Sequence, residues 1–145
     1  MYRKTNSQLE VFLVHPGGPY FRNKDDGAWT IPKGEVEREE LVFDTALREF
    51  QEETGIQPAG DFIPLNTVKQ KGGKVVHAWA FEGDWDESGS IKSNYFEMEW
   101  PPRSGRKKQF PEIDRARFFS IDEAKRKINS AQIEFLAELE RILKS

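Results

Sequence analysis

The stretch that decides the fold is GEVEREELVFDTALREFQEETGI, residues 34–56. Its apolar residues recur at three- and four-residue steps, and a glycine stands where helices commonly end, so the pattern predicts a helix over 41–54. At about 100° per residue, Glu49, Glu52 and Glu53 project from one side of this helix. The opposite side is apolar and is expected to pack on a core: Phe43, Ala46, Leu47 and Phe50.

Three carboxylates on one helix face repel one another unless positive charge compensates them. Arg48 can pair with Glu52 four residues on, but one guanidinium cannot neutralise three carboxylates. Mg²⁺ and Mn²⁺ prefer oxygen ligands of this kind. The helix therefore favours a Mg²⁺ site, with Mn²⁺ as an alternative ion. Taken without its context, the same run of charge would more often be a solvated helix face.

The segments around this helix alternate between strand and helix patterns. Residues 9–14 form an apolar, β-branched run that predicts a buried strand. Residues 62–69 and 74–81 predict two further strands, separated by a turn at Gly72 and Gly73.

The second half of the chain holds fewer regular patterns. Residues 83–111 are predicted to be irregular, and 116–119 to form a short strand. Ser120 opens a capping box, and an amphipathic helix closes the chain. Because strands and helices interleave, we predict an α/β or α+β class, with helices packed on a mixed sheet in one domain over 1–145.

Composition excludes several kinds of site. The 145 residues contain no cysteine and only two histidines, which rules out disulfides, thiolate metal sites and a multi-histidine centre. The net charge of −3, from 22 basic and 25 acidic side chains, disfavours a nucleic acid duplex as the partner. No apolar run has membrane-spanning length and no signal peptide pattern is present, so a cytoplasmic protein without a membrane partner is expected.

Residues 34–56 fill every position of the pattern G-x5-E-x7-R-E-U-x-E-E-x-G-U, in which U is a bulky apolar residue. In this respect the chain resembles the Nudix (MutT-like) hydrolases. The resemblance implies an α/β/α sandwich around a mixed sheet. The lead-in Pro-Lys-Gly at 32–34 is similar to that of the dinucleoside-polyphosphate hydrolase branch. The fixed positions are Gly34, Glu40, Arg48, Glu49, Glu52, Glu53 and Gly55.

The resemblance also implies roles for these residues. Glu52 and Glu53 would be the principal metal ligands, joined by Glu49 and the Gly34 carbonyl. Glu49 is also the family's candidate for activating the attacking water, although several members draw this base from a later loop.

Two further positions would support these ligands. Arg48 would orient the glutamates. Glu40 would support the metal ligands without binding the metal itself. The implied reaction is Mg²⁺-dependent attack of water on a diphosphate linkage, which would make the protein a pyrophosphohydrolase with a small, nucleotide-like substrate.

Outside this segment, the sequence offers candidates rather than a pattern. Lys33 stands beside the expected ligands and could contact a phosphate as a point charge. A late carboxylate could serve as ligand or base, and Glu97 is slightly preferred over its rival Glu112.

Aromatic and basic residues of the irregular region are candidates for substrate binding. Among the aromatics that could stack on a base, Trp100 is preferred over Tyr20, Trp79 and Tyr95. A short basic run could hold a polyphosphate, with Arg103 as its first member: Arg103, Arg106, Lys107 and Lys108.

Other function classes fit less well. A catalytically silent Nudix domain that senses or binds nucleotides is the main alternative, although all the glutamates of the pattern are retained. No stretch fits the loop of an EF-hand or the motif of a P-loop, and a two-carboxylate glycosidase would not need the arginine and glycine of the pattern at these spacings. Nucleoside triphosphates, dinucleoside polyphosphates, nucleotide sugars and diphosphoinositol phosphates remain open as substrates, and the lead-in and basic run favour the first two.

Overall fold

The computed structural model describes residues 1–33, 41–70, 72–87 and 91–144, so Gly34 and Glu40 lie outside the described residues. A 3₁₀ turn, Ser130–Gln132, separates the last two of three helices: α1 (Val42–Thr54), α2 (Ile121–Lys127) and α3 (Ile133–Lys144). The strands are β1 (Tyr2–Thr5), β2 (Gln8–Pro16), β3 (Ile63–Pro64), β4 (Val68–Lys69), β5 (Val75–Val76), β6 (Trp79–Ala80), β7 (Tyr95–Glu99), β8 (Lys107–Pro111) and β9 (Ile113–Ser120).

The central sheet has the order β1-β2-β9, with antiparallel pairing throughout. Asn6 and Ser7 both have positive φ, which is the geometry of a tight hairpin turn between β1 and β2. Two isolated bridges extend the sheet on the side of β1, a parallel one between Tyr2 and Glu82 and an antiparallel one between Val14 and Thr30. The strand predicted over 9–14 is confirmed as the middle strand, β2.

Alternate residues of β2 enter two different hydrophobic clusters, because successive side chains of a strand point to opposite faces. Leu13 packs with Leu136 and Leu139 of α3 on one face. Phe12 packs with Phe50 of α1 on the other, at a ring distance of 6.1 Å. Helices therefore cover both faces of the sheet, and the predicted α/β/α arrangement is confirmed.

The two strands predicted over 62–69 and 74–81 are each interrupted. Ile63 pairs with Ala80 and Val68 with Val76, so the segment between Ile63 and Val68 holds one residue more than its partner. This is the two-against-one arrangement of a β-bulge. The amide of Asn66, displaced from the ladder, donates to the Glu138 carboxylate of α3 at 2.6 Å.

The prediction that 83–111 is irregular is wrong for its second part. Strands β7 and β8 form an antiparallel hairpin with Tyr95 opposite Pro111 and Glu99 opposite Lys107. Its tip is closed by the amide of Trp100, which donates to the Arg106 carbonyl at 2.9 Å.

The C-terminal part follows the prediction closely. The strand expected over 116–119 is longer, Ile113–Ser120. Ser120 then caps α2, since its side chain accepts from the amide of Glu123 at 3.3 Å. In the described ranges, no helix is both long and apolar enough to cross a membrane.

Candidate active site

The carboxylate of Glu53 lies at the centre of the candidate site. The backbone amide of Lys33 donates to its Oε2 at 3.0 Å. The pKa of Glu53 is raised from 4.5 to about 8, mainly by burial and also by the negative charges of Glu49 and Glu112, against the opposing hydrogen bond and positive charge of Lys33. A nearby positive charge would therefore favour the ionised form of this carboxylate.

Arg48 pairs with two further carboxylates of α1, those of Glu49 and Glu52. Its Nη1 lies 2.9 Å from Oε1 of Glu49 and 3.0 Å from Oε2 of Glu52. Burial raises the pKa of Glu49 even against this ion pair, because its side chain is only 16% exposed. The Glu52 side chain is 43% exposed. Arg48 thus fixes the orientation of both glutamates.

The helix is held at both its core face and its C-terminus. Phe50 contacts Phe81 at a ring distance of 5.2 Å, which anchors the apolar face. The hydroxyl of Thr54 donates to the Phe50 carbonyl, and Gly55 ends the helix at a φ of 75°. The predicted helix and its terminating glycine are confirmed. Glu53 is the last residue but one of this helix.

The lead-in to Lys33 is fixed by a residue that the sequence reasoning missed. Gln132 is fully buried, and its Oε1 accepts from the amide of Ile31 and the hydroxyl of Thr30, both at 3.1 Å. Trp29, also buried, anchors the start of the segment by donating to Asp25 at 2.8 Å. A glutamine before a C-terminal helix carries no local signal, because its role depends on residues about 100 positions away.

Glu112, rather than Glu97, lies beside the carboxylates of α1. Together with Glu53 and Lys33 it lines a shallow cavity of about 170 Å³. The carbonyl of Glu112 accepts from the amide of Gly17 at 2.8 Å, and its amide donates to the Asn94 carbonyl. Glu97 is not among the described residues that line this cavity, and its carboxylate lies 3.8 Å from Lys107 on β7–β8.

The hydrogen bond from the Gly17 amide to the Glu112 carbonyl is expected to hold Glu112 in position, and a substitution at Gly17 tests this. A Cβ added at Gly17 would lie 1.9 Å from the Pro111 carbonyl oxygen, so Gly17→Ala must push β2 and the Glu112 segment apart. We expect a loss of about 1–3 kcal/mol in unfolding free energy, measured by denaturant titration, and a parallel fall in kcat.

Gly27→Ala is the matched control for the Gly17 substitution. A Cβ there meets nothing within 4 Å, although the φ of +78° still strains an alanine. It is expected to lower stability slightly and leave kcat unchanged. An equal effect of the two substitutions on kcat would show that Gly17 does not position Glu112.

The substrate-binding candidates lie on the β7–β8 hairpin and the loop after β2. The ring of Trp100 contacts Tyr20 at 5.4 Å and an interplanar angle of 83°. Arg103 is exposed at the hairpin tip, with a φ of 62°. Trp79 instead packs on Phe43 of α1 at 5.0 Å, so it belongs to the interior.

The donors fit a hard divalent cation in their chemistry. Glu49, Glu53 and Glu112 present only carboxylate oxygens, and the raised pKa of Glu53 marks an unmet need for positive charge. Within the described ranges, no three acidic or histidine side chains are already close enough together to hold an ion.

A sheet covered by helices on both faces, one of which carries the cluster of glutamates, defines the class of protein. This chain belongs to the NUDIX domain family, whose model matches residues 2–139. The predicted resemblance is thereby confirmed.

Comparison with individual proteins gives both a relative and structural neighbours. The rat bis(5′-nucleosyl)-tetraphosphatase [asymmetrical] is 37% identical over 79 residues. The match covers 50% of this chain and 54% of that protein, so the chain spans about half the length of this curated relative.

Three solved structures share the fold. A C. elegans Ap4A hydrolase in a binary complex is 20% identical with a TM-score of 0.64, covering 99% of this chain and 92% of its own. The NUDIX domain of Shewanella oneidensis NrtR, complexed with ADP ribose, is 17% identical with a TM-score of 0.61, covering 99% and 83%. The E. coli ORF135 protein is 19% identical with a TM-score of 0.54, covering 97% and 85%.

Proposed function

We propose that the chain, acting as one domain over 1–145, is a Mg²⁺-dependent hydrolase that cleaves a diphosphate linkage. A dinucleoside polyphosphate is the favoured substrate and a nucleoside triphosphate the second. The observation that carries the proposal is the cluster of Glu49, Glu53 and Glu112, in which burial raises the pKa of Glu53 to about 8. A purely structural helix face would be solvated instead.

Support for the substrate comes from the relative rather than from the cavity. The rat tetraphosphatase shares 37% identity over the matched residues. The cavity beside Glu53, at about 170 Å³, is smaller than the roughly 300–1,000 Å³ of pockets that enclose a whole ligand. It suits the reacting phosphate alone, with the rest of the substrate lying outside.

The residues that would hold Mg²⁺ are Glu52, Glu53 and Glu49, with the Gly34 carbonyl expected from the family. A cation held by these residues would supply a lowered pKa for a bound water, shielding of phosphate charge and alignment of the leaving group.

The side chains then divide the remaining work. The oxygen of water attacks phosphorus, its proton passes to the carboxylate of Glu112 or Glu49, and the bridging P–O bond breaks with its electron pair on the departing phosphate. Lys33 offsets charge on the phosphate that remains in the cavity, and Arg48 keeps Glu49 and Glu52 in place between turnovers.

A substrate panel tests the proposal. Diadenosine tetraphosphate, ATP, ADP-ribose and a nucleotide sugar are incubated with Mg²⁺, and the products are separated by anion exchange. We expect the highest kcat/KM for diadenosine tetraphosphate, cleaved to two unequal nucleotides, and loss of this activity in Glu52→Gln. No turnover of any member with Mg²⁺ or Mn²⁺ would instead support a silent nucleotide-binding domain.

A further inference from the structure

The β7–β8 hairpin has two chemically different faces. Directly opposed residues of an antiparallel pair share a face. The pairing of Phe96 with Phe110 and Met98 with Lys108, continued by the Trp100–Arg106 hydrogen bond, defines one of them. We call this the platform face: Phe96, Met98, Trp100, Arg106, Lys108 and Phe110. The other face carries Tyr95, Glu97, Glu99 and Lys107.

The loop after β2 packs against the platform face at two points. Near the base, Gly18 approaches so closely that an added Cβ would lie 2.9 Å from the ring of Phe96, and its φ of +99° suits glycine alone. Near the tip, the ring of Tyr20 meets that of Trp100 edge-on at 5.4 Å. Tyr20 nevertheless stays 59% exposed, so an aromatic ring is held firmly while much of its surface faces solvent.

The platform face also carries cations without acidic partners. Arg106 and Lys108, with Arg103 at the tip, are exposed and make no ion pair within the described part of the chain. Lys107, on the other face, lies 3.8 Å from Glu97. Unneutralised cations beside an exposed ring, in a chain of net charge −3, fit an anionic aromatic ligand.

The hairpin links this platform to the candidate active site. Strand β8 runs from Lys107 to Pro111, and Glu112 follows directly. With a rise of about 3.3 Å per residue, the six steps from Arg106 to Glu112 span roughly 20 Å. A nucleoside monophosphate is too short to reach from Arg106 to Glu112. A nucleoside attached through several phosphates is long enough to do so.

We propose that Tyr20, supported by Trp100, stacks on the far nucleobase of the substrate, while Arg103, Arg106 and Lys108 bind the phosphates that lead to it. The inference rests on the proposed function and narrows it, since such a platform favours a nucleoside attached through several phosphates over one that carries a single phosphate. Stacking on one aromatic ring changes affinity by roughly 10- to 100-fold.

Binding is measured by isothermal titration calorimetry in EDTA, where hydrolysis cannot interfere, with diadenosine tetraphosphate and inorganic tripolyphosphate as probes. We expect Tyr20→Ala to weaken the dinucleotide by about 10- to 100-fold and leave tripolyphosphate unchanged. Tyr95→Ala, an exposed tyrosine of the same hairpin on the other face, is the matched control and should bind as wild type does.

Lys108 and Lys107 give a matched pair of variants that tests the cations of the platform face. Lys108→Ala should weaken both probes about fivefold or more, whereas Lys107→Ala, one residue away on the other face, should change binding less than about twofold. Tyr20→Leu keeps an apolar contact with Trp100 and serves if the alanine variant does not fold. Equal effects of Tyr20→Ala and Tyr95→Ala, or loss of tripolyphosphate binding in Tyr20→Leu, would overturn the platform.

These outcomes are separable from the proposed function. Calorimetry in EDTA reports on the platform alone, and the substrate panel reports on hydrolysis alone. A chain that binds the dinucleotide through Tyr20 without cleaving it would refute the hydrolase and retain the base site.

Discussion

The Glu53→Gln variant is expected to lose about 10³-fold in kcat for its best diphosphate substrate with Mg²⁺. A metal ion stabilises the transition state of such a reaction by several kcal/mol, and each tenfold in rate corresponds to about 1.4 kcal/mol. The Glu53 carboxylate stands in the last turn of α1 and accepts a hydrogen bond from the Lys33 amide at 3.0 Å. Steady-state kinetics on purified protein measures the loss.

The same variant is expected to stabilise the metal-free protein at alkaline pH. The folded protein keeps the Glu53 proton up to a pKa of about 8, whereas the unfolded chain releases it near 4.5. Ionisation therefore destabilises the fold progressively as pH rises from about 4.5 to 8, and glutamine cannot ionise. Because the carboxylate is partly solvated, we expect a gain on the order of 1 kcal/mol at about pH 8.

Asp44→Asn provides the control on the same helix. Asp44 is exposed in the first turn of α1, remote in sequence from the carboxylates at its end. It should keep both wild-type kcat and the wild-type dependence of stability on pH. A Glu53→Gln variant that is less active and also less stable at every pH would indicate a structural role for Glu53.

The second large effect on kcat is expected at Glu112 and not at Glu97. We expect Glu112→Gln to lower kcat by about 10² or more, the usual contribution of a general base, with a smaller change in KM. Glu112 lines the cavity with Glu53, and its charge raises the pKa values of Glu49 and Glu53. Glu97→Gln, which removes only an exposed 3.8 Å pairing with Lys107, should stay within about twofold of wild type.

The opposite result would support Glu97, the late carboxylate that was preferred from the sequence. If Glu97→Gln loses activity and Glu112→Gln retains it, the hairpin must close over the site during turnover. Losses in both variants would mean that each contributes, with Glu97 acting from a substrate-bound arrangement.

Local features of the sequence were sufficient for the helix and its carboxylates. The spacing of apolar residues and Gly55 determine α1, and a helix fixes the relative directions of Glu49, Glu52 and Glu53 without further information. The apolar run of β2 was equally clear, because a central strand covered on both faces is continuously apolar.

Long-range contacts explain what the sequence did not reveal. Tyr95–Glu99 alternates as a strand should, but its partner Lys107–Pro111 is polar and lies beyond a tip rich in proline and charge. The bulge after Ile63 depends on Glu138 of α3, and the position of Glu112 depends on the Gly17 amide. Such contacts between distant segments leave no periodic pattern in a single sequence.

Mn²⁺ binding tests directly whether Glu53 is a ligand for the catalytic cation. Free Mn²⁺ is measured by electron paramagnetic resonance at about pH 9, roughly one unit above the pKa of Glu53 at about 8. We expect wild type and Asp44→Asn to bind Mn²⁺ with the same affinity, and Glu53→Gln to bind it at least about tenfold more weakly. Equal affinity in wild type and Glu53→Gln would contradict it.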